Sequence, residues 1–190
     1  MTSNLIKLTK MKKSILLKAI FVVLIMISTN SIAQKFPALD KSPMDVATYP
    51  NSYRESDKVI KVLYSRPQLK GRSLVKLAPV EKVWRTGANE AAEIIFYKDV
   101  VFGDKEVKAG TYSLFTIPGE TEWTIILNND KNVWGAYMYN EDEDVIRVKA
   151  KVAKATKKIE TFSIVFEGEE EDFNMFLGWG NTVVSLPIKG

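Results

Sequence analysis

The sequence predicts an all-β fold, an antiparallel β-sandwich or jelly-roll-like barrel of about eight to ten short strands with an extended N-terminal arm. Three observations carry this expectation. From residue 58 onward apolar residues recur with period two, the spacing of a strand with one buried face. Glycine-containing turn sequences divide those runs at hairpin distance. No stretch after residue 33 sustains helical periodicity over three turns.

The elements follow in chain order. Residues 34–57 are punctuated by Pro37, Pro43 and Pro50. Proline cannot donate to a ladder, so this segment is expected to be an extended arm over the sheets rather than a strand. Ile60-Lys61-Val62-Leu63-Tyr64 is the first strand, Pro79-Val80-Glu81-Lys82-Val83 a short turn before Trp84, and Ile94-Ile95-Phe96-Tyr97 the next strand. Residues 112–117 and 123–127 are aromatic and β-branched on both faces, which predicts central strands. Asn128-Asn129-Asp130-Lys131-Asn132 is a polar loop. Ile146, Val148, Ala150 and Val152 alternate with Arg147, Lys149 and Lys151, giving one buried and one wet face. Phe162, Ile164 and Phe166 alternate with Thr161 and Ser163 in the same way. Gly103-Asp104-Lys105, Pro118-Gly119-Glu120-Thr121 and Gly180-Asn181 are the expected turns, each with a glycine able to take positive φ. Trp123 and Trp179 read as core, whereas Trp134, beside Gly135 and Tyr137, is the least core-like tryptophan.

Residues 1–33 read as a cleaved signal peptide. Lys10, Lys12 and Lys13 supply a basic start, residues 15–27 an apolar run broken only by Lys18, and Ser31-Ile32-Ala33 a small-residue cleavage site. The uninterrupted part, 19–27, falls short of the roughly 20 residues of a bilayer span. The expected product is a single β domain over 34–190, exported to the periplasm or beyond, with no membrane span after cleavage. Of the 27 basic side chains, Lys7, Lys10, Lys12, Lys13 and Lys18 lie in this leader and none of the 23 acids does, so residues 34–190 carry 22 basic against 23 acidic groups. That near-neutral balance removes the charge argument for a nucleic-acid partner.

The chain has no histidine and no cysteine. It therefore has no disulfide framework, and burial alone must hold the fold. Ser-His-Asp triads, Cys-His pairs, imidazole-ligated metals, redox dithiols and iron–sulfur sites are excluded. Neither the Walker nor the dinucleotide glycine spacing occurs, and no cofactor or metal is expected. The acidic runs Glu141-Asp142-Glu143-Asp144 and Glu169-Glu170-Glu171-Asp172 read as solvated, and the spacing in 141–144 matches no calcium loop.

The densest functional signal is Trp84-Arg85-Thr86-Gly87-Ala88-Asn89-Glu90-Ala91. Arg85 offers a planar fork for carboxylate, phosphate or hydroxyl groups, Asn89 both donates and accepts, Glu90 could orient the arginine, and Trp84 supplies a stacking face. Upstream, Arg66 continues the face of Val62 and Tyr64 and needs a partner, for which Glu90 or Glu93 is the economical choice. Arg72 adds a further cation. Arg66, Arg72, Trp84, Arg85, Asn89 and Glu90 are thus the candidate ligand-binding residues. The same block also reads as a tight bend, with Gly87 at positive φ and the arginines satisfied by Glu90.

Phe36-Pro37-Ala38-Leu39-Asp40-Lys41-Ser42-Pro43, Tyr64-Ser65-Arg66-Pro67 with Lys70-Gly71-Arg72, Val83 through Ala91, Ala109-Gly110-Thr111-Tyr112-Ser113-Leu114-Phe115-Thr116-Ile117-Pro118 and Trp134-Gly135-Ala136-Tyr137 resemble the exported bacterial family catalogued as domain of unknown function 2911. The resemblance spans nearly all of residues 34–190, with Gly168 to Asp172 as a longer acidic departure. It implies a secreted or periplasmic protein of the Bacteroidetes type and carries no established activity or catalytic residues. The leading expectation is a binding module for a small polar or anionic ligand, or for an envelope partner. The alternatives are a carboxylate-dependent glycan hydrolase using Glu90 or Glu93, and a structural envelope protein.

Overall fold

The computed structural model describes residues 34–190 together with positions 12, 13, 15–18 and 21. The expected cleavage site at residues 31–33 lies outside the described residues. The chain divides into two compact units, Met1–Ala38 and Leu39–Gly190. In the first, the described positions up to 21 are helical, with Ile15, Leu16, Leu17 and Phe21 exposed. Among the described residues no helix is long and apolar enough to cross a membrane.

The second unit is all-β. Its strands are β1 (Met44–Tyr49), β2 (Ile60–Ser65), β3 (Ala92–Phe96), β4 (Val100–Phe102), β5 (Lys105–Val107), β6 (Gly110–Ile117), β7 (Glu122–Asn128), β8 (Asp144–Glu169) and β9 (Asp172–Lys189). They form one antiparallel sheet in the order β1-β2-β3-β6-β7-β8-β9-β4-β5, which leaves two free edges. β6 and β7, apolar on both faces, do lie at its centre. A four-residue helix, α1 (Leu74–Leu77), follows β2.

Three expectations are corrected. The proline-punctuated arm contains a strand: β1 pairs with β2 from Met44↔Ser65 to Tyr49↔Ile60. Pro43 and Pro50 lie just outside it, so their missing donors interrupt nothing. The last strands are not short, since β8 runs for 26 residues and β9 for 18. Gly180-Asn181 is not a hairpin turn either, because it lies within β9. The turn between β8 and β9 is made by Glu170 and Glu171, closed by the pair Glu169↔Asp172, with Gly168 and Glu170 at positive φ.

A straight strand of 26 residues would reach roughly 85 Å, far more than a domain of this size spans. β8 and β9 must bend, and the register shows where. It shifts between Lys154 and Ile159 and again between Ile159 and Ser163, with Ile159 opposite Gly180. Gly180 has φ 63°. A Cβ on Gly178 would come within 2.7 Å of Ile159 Cδ1, so that side chain fills the space a larger residue would need. Bulges of this kind sharpen a strand's bend.

The bend carries the far half of β8 across the core onto β2. Gln68 bridges Thr161, Leu69 N–H donates to Glu160 O at 2.9 Å, and Phe162 N–H donates to Pro67 O at 2.9 Å. The buried Tyr64 hydroxyl accepts from Ile164 N–H at 2.9 Å and lies 3.3 Å from Ile164 O. One rolled sheet thereby acts as the two layers of a sandwich. Between the layers Trp84 stacks on Trp179 at 5.5 Å and meets Trp123 and Phe162 edge-on at 6.1 and 5.0 Å. The core reading of Trp123 and Trp179 holds, and Trp84 joins them at 5% exposure.

Trp84→Ala is expected to lower the unfolding free energy by about 3–5 kcal/mol, and Trp84→Phe by less. Urea denaturation followed by far-UV circular dichroism would measure both.

Candidate ligand-binding site

Residues 84–91 form the bend that enters β3. Trp84 and Thr116 exchange backbone hydrogen bonds of 2.7 and 2.9 Å, which seats this residue beside β6. The turn is made by Thr86 at φ 53° and Asn89 at φ 62°. Gly87 is not at positive φ, contrary to expectation. Its role is close approach, because a Cβ there would come 3.1 Å from Ser65 O. Thr86 is fully buried, its Oγ1 3.3 Å from Thr116 Oγ1. A β-branched residue in the left-handed region is strained and persists only where its surroundings enforce it.

Alternation sends the Trp84 indole into the core and the Arg85 side chain to the opposite face, beside the loop of residues 129–143. The bend pairs with this loop. Ala91 N–H donates to Val133 O at 2.9 Å, Gly135 N–H donates to Asn89 O at 2.9 Å, and Glu90 and Trp134 form an isolated antiparallel bridge. A Cβ on Gly135, at φ 69°, would lie 3.4 Å from Arg85 Nη1 and 2.7 Å from the Tyr137 ring, so guanidinium and phenol flank one backbone position. Arg85 Nε is buried, with no hydrogen-bond partner among the described residues. The loop presents Trp134, Tyr137 and Met138 to solvent, at 61%, 79% and 82% exposure.

The other sequence candidates are placed elsewhere. Arg66 pairs with Asp45 Oδ2 at 2.7 Å, and donates to Phe162 O at 3.1 Å and Ser163 Oγ at 2.7 Å. The expected partner Glu90 or Glu93 is therefore replaced by an aspartate on β1, the strand the sequence did not reveal. Arg72 closes its own turn, donating to Leu69 O at 2.9 Å and Gln68 O at 2.8 Å. The two upstream arginines do not join the 84–91 block in one network. Glu90 and Glu93 line a shallow pocket of about 180 Å³ with Met44, Leu63, Ser113 and Asn132. Small-molecule sites ordinarily occupy about 300–1,000 Å³, and the hydrolase reading gains nothing from this one.

A second polar cluster escaped the sequence reading. Asn128, fully buried, donates to Asp144 Oδ1 at 2.8 Å and to Asn140 O at 2.9 Å, and accepts from Asp130 N–H at 2.9 Å. These bonds draw together the ends of the loop, as in an Ω-loop. Asp144 Oδ2 accepts from Tyr139 Oη at 2.5 Å and from Arg147 Nε at 2.6 Å, while Arg147 Nη2 reaches Tyr139 Oη at 2.8 Å and Glu141 at 3.1 Å. The Tyr139 ring packs edge-on against Phe115 at 5.1 Å. Burial, then the Asp144 carboxylate, push the Tyr139 hydroxyl up to about 12. The same carboxylate raises the Arg147 pKa above its ordinary value. The available signal was Asp144 standing three residues before Arg147, hidden within what reads as a solvated acidic run.

Fold and site together define an all-β protein in which the loop of residues 129–143 sets exposed aromatic side chains beside a half-buried arginine whose Nε has no hydrogen-bond partner among the described residues. Residues 42–188 match the family model described as protein of unknown function (DUF2911), and the chain belongs to that family. Neither the curated proteins nor the solved structures give a match to this chain.

Arg66→Ala is expected to cost about 1–2 kcal/mol of stability, since the pair it makes is partly solvated, with side chains 33% and 44% exposed. Thermal unfolding would read this loss. Tyr139 has a folded-state pKa raised from 10 to about 12. Its contribution is fully present below pH 10 and is lost as pH rises from 10 to about 12, where only the unfolded chain ionises readily. Tyr139→Phe should flatten the fall of stability across that window, as measured by denaturation midpoints at stepped pH.

Proposed function

We propose that this protein is an exported binding module that takes a small polar or anionic ligand between Arg85 and the Trp134-Tyr137 loop. The observation that carries the reading is the buried Arg85 Nε without a partner. A buried donor left unpaired costs about 1–3 kcal/mol, and a fold tolerates that where another molecule completes the bond. The Asn89 side chain, the Glu90 carboxylate and the exposed faces of Trp134 and Tyr137 stand on the segments that meet at this point. Aromatic faces next to hydrogen-bonding groups match sugars and small organic acids. Of the other sequence candidates, Trp84 anchors the bend through its backbone bonds to Thr116, whereas Arg66 ties β2 to β1 and β8 and Arg72 closes its own turn. Export rests on the leader-like residues 1–33.

The test separates a ligand role from a structural one. A thermal-shift screen with sugars, uronic acids, dicarboxylates and nucleotides would identify a ligand, and titration calorimetry would then compare variants. Arg85→Ala is expected to weaken the ligand about tenfold or more while leaving stability unchanged or slightly higher, because it deletes an unsatisfied donor. A loss of folding stability in Arg85→Ala, with no screened ligand that distinguishes it from the parent, would sink the proposal.

A further inference from the structure

A second surface, away from Arg85, has the makings of a binding site. A groove of about 690 Å³ is lined by Gly103, Asp104 and Lys105 from the β4–β5 turn, by Arg147, Val148, Lys149 and Lys151 of β8, and by Asn174, Ser185 and Pro187 of β9. It opens where β8 leaves β9: their pairing ends at Lys151↔Ser185, and beyond that point β9 is joined to β4 through Phe102↔Ile188. Four cations and one acid line this groove, although residues 34–190 as a whole hold 22 basic and 23 acidic side chains. Part of the excess is already compensated, because Arg147 is committed to Asp144 and Glu141. Lys105 has only a loose contact with Asp104, at 3.9 Å. Lys149 donates to Thr124 Oγ1 at 2.8 Å, an uncharged partner. No ion pair engages Lys149 or Lys151 among the described residues.

Lysines on a convex surface are well solvated and need no explanation. Lysines on the walls of a concavity repel one another, and their shared potential is focused into the cleft. We propose that this groove binds an acidic polysaccharide through its carboxylate or sulfate groups. Lys149 and Lys151 alternate on one strand face, so their Cα atoms stand about 7 Å apart and can meet successive charges of an extended chain. The Asn174 amide and the Ser185 hydroxyl, both on the lining, suit sugar hydroxyls. No aromatic side chain lines the groove, so it lacks the stacking platform that single-stranded nucleic acid uses. Val148 and Pro187 are the apolar side chains among the lining residues, too few to wall in an acyl chain. The occupant recognised here is therefore multiply charged, hydrophilic and not aromatic.

The experiment uses protein recovered after expression of the full chain, with polygalacturonate as the probe. Titration calorimetry at low and high salt is run beside neutral dextran and an oligothymidylate of similar charge. Binding to polygalacturonate is expected to weaken with salt, and dextran is expected not to bind. The double variant Lys149→Gln/Lys151→Gln should lose roughly tenfold or more in affinity. Lys76→Gln/Lys157→Gln removes the same charge from exposed positions outside the groove and should change affinity by less than about threefold. Equal losses in the two double variants would show diffuse attraction and overturn the proposal. Tighter binding of oligothymidylate, or no binding of polygalacturonate by the folded parent, would also overturn it. Arg85→Ala should leave this affinity unchanged, which separates the groove from the loop site.

Discussion

The burial of the Trp84 indole between the two layers of a single rolled sheet is the constraint on which the rest of this structure depends. Its neighbours come from three strands: Trp123 from β7, Phe162 from β8 and Trp179 from β9. Two of these arrive only because β8 and β9 bend around Ile159, Gly178 and Gly180. Without a disulfide to hold the layers, contact area among these large rings must supply the cohesion. The polar ties across the layers, Tyr64 to the Ile164 backbone and Arg66 to the Phe162 carbonyl and Ser163, fix the register of that closure, with Asp45 of the neighbouring β1 holding the Arg66 guanidinium in place. They satisfy groups that the packing would otherwise bury unpaired.

The residue after Trp84 leaves the core and becomes the cation of the proposed site because neighbouring side chains on an extended backbone face opposite ways. One bend thus serves both the core and the surface. Thr86 and Asn89 turn the chain at left-handed φ, and the turned segment forms backbone hydrogen bonds with the loop that displays Trp134 and Tyr137. The neck of the loop is held by Asn128, Asp144, Tyr139 and Arg147. A loop tied at both ends can keep aromatic side chains in water without ordering them anew for each ligand, which lowers the entropic cost of binding.

Much of the strand pattern was legible because its cause is local. The alternation of Ile146, Val148 and Ala150 with three cations declares a half-buried strand whatever lies across from it, and residues 112–117 and 123–127 declare central strands by being apolar on both faces. Trp134 was legible as a surface residue from its glycine and polar neighbours. Pairings were not legible, because they depend on register. Arg66 found Asp45 only once β1 had added to β2 with Asp45↔Tyr64 opposed, and the prolines had hidden that strand. Gly180 looked like a turn because a glycine at positive φ serves a hairpin and a bulge equally well.

The sequence by itself determined the all-β class, the central position of β6 and β7, the absence of histidine and thiol chemistry, and the family, since these follow from composition, period and motif. Only the tertiary structure decided which of the polar residues meet. It used Arg66 and Arg72 to hold strands and turns, left Arg85 Nε without a partner among the described residues, and drew Lys105, Lys149 and Lys151 around one groove. The reason is physical: a side chain's direction is a property of its own strand, whereas its partner is chosen by how β8 and β9 bend to close the sheet over Trp84.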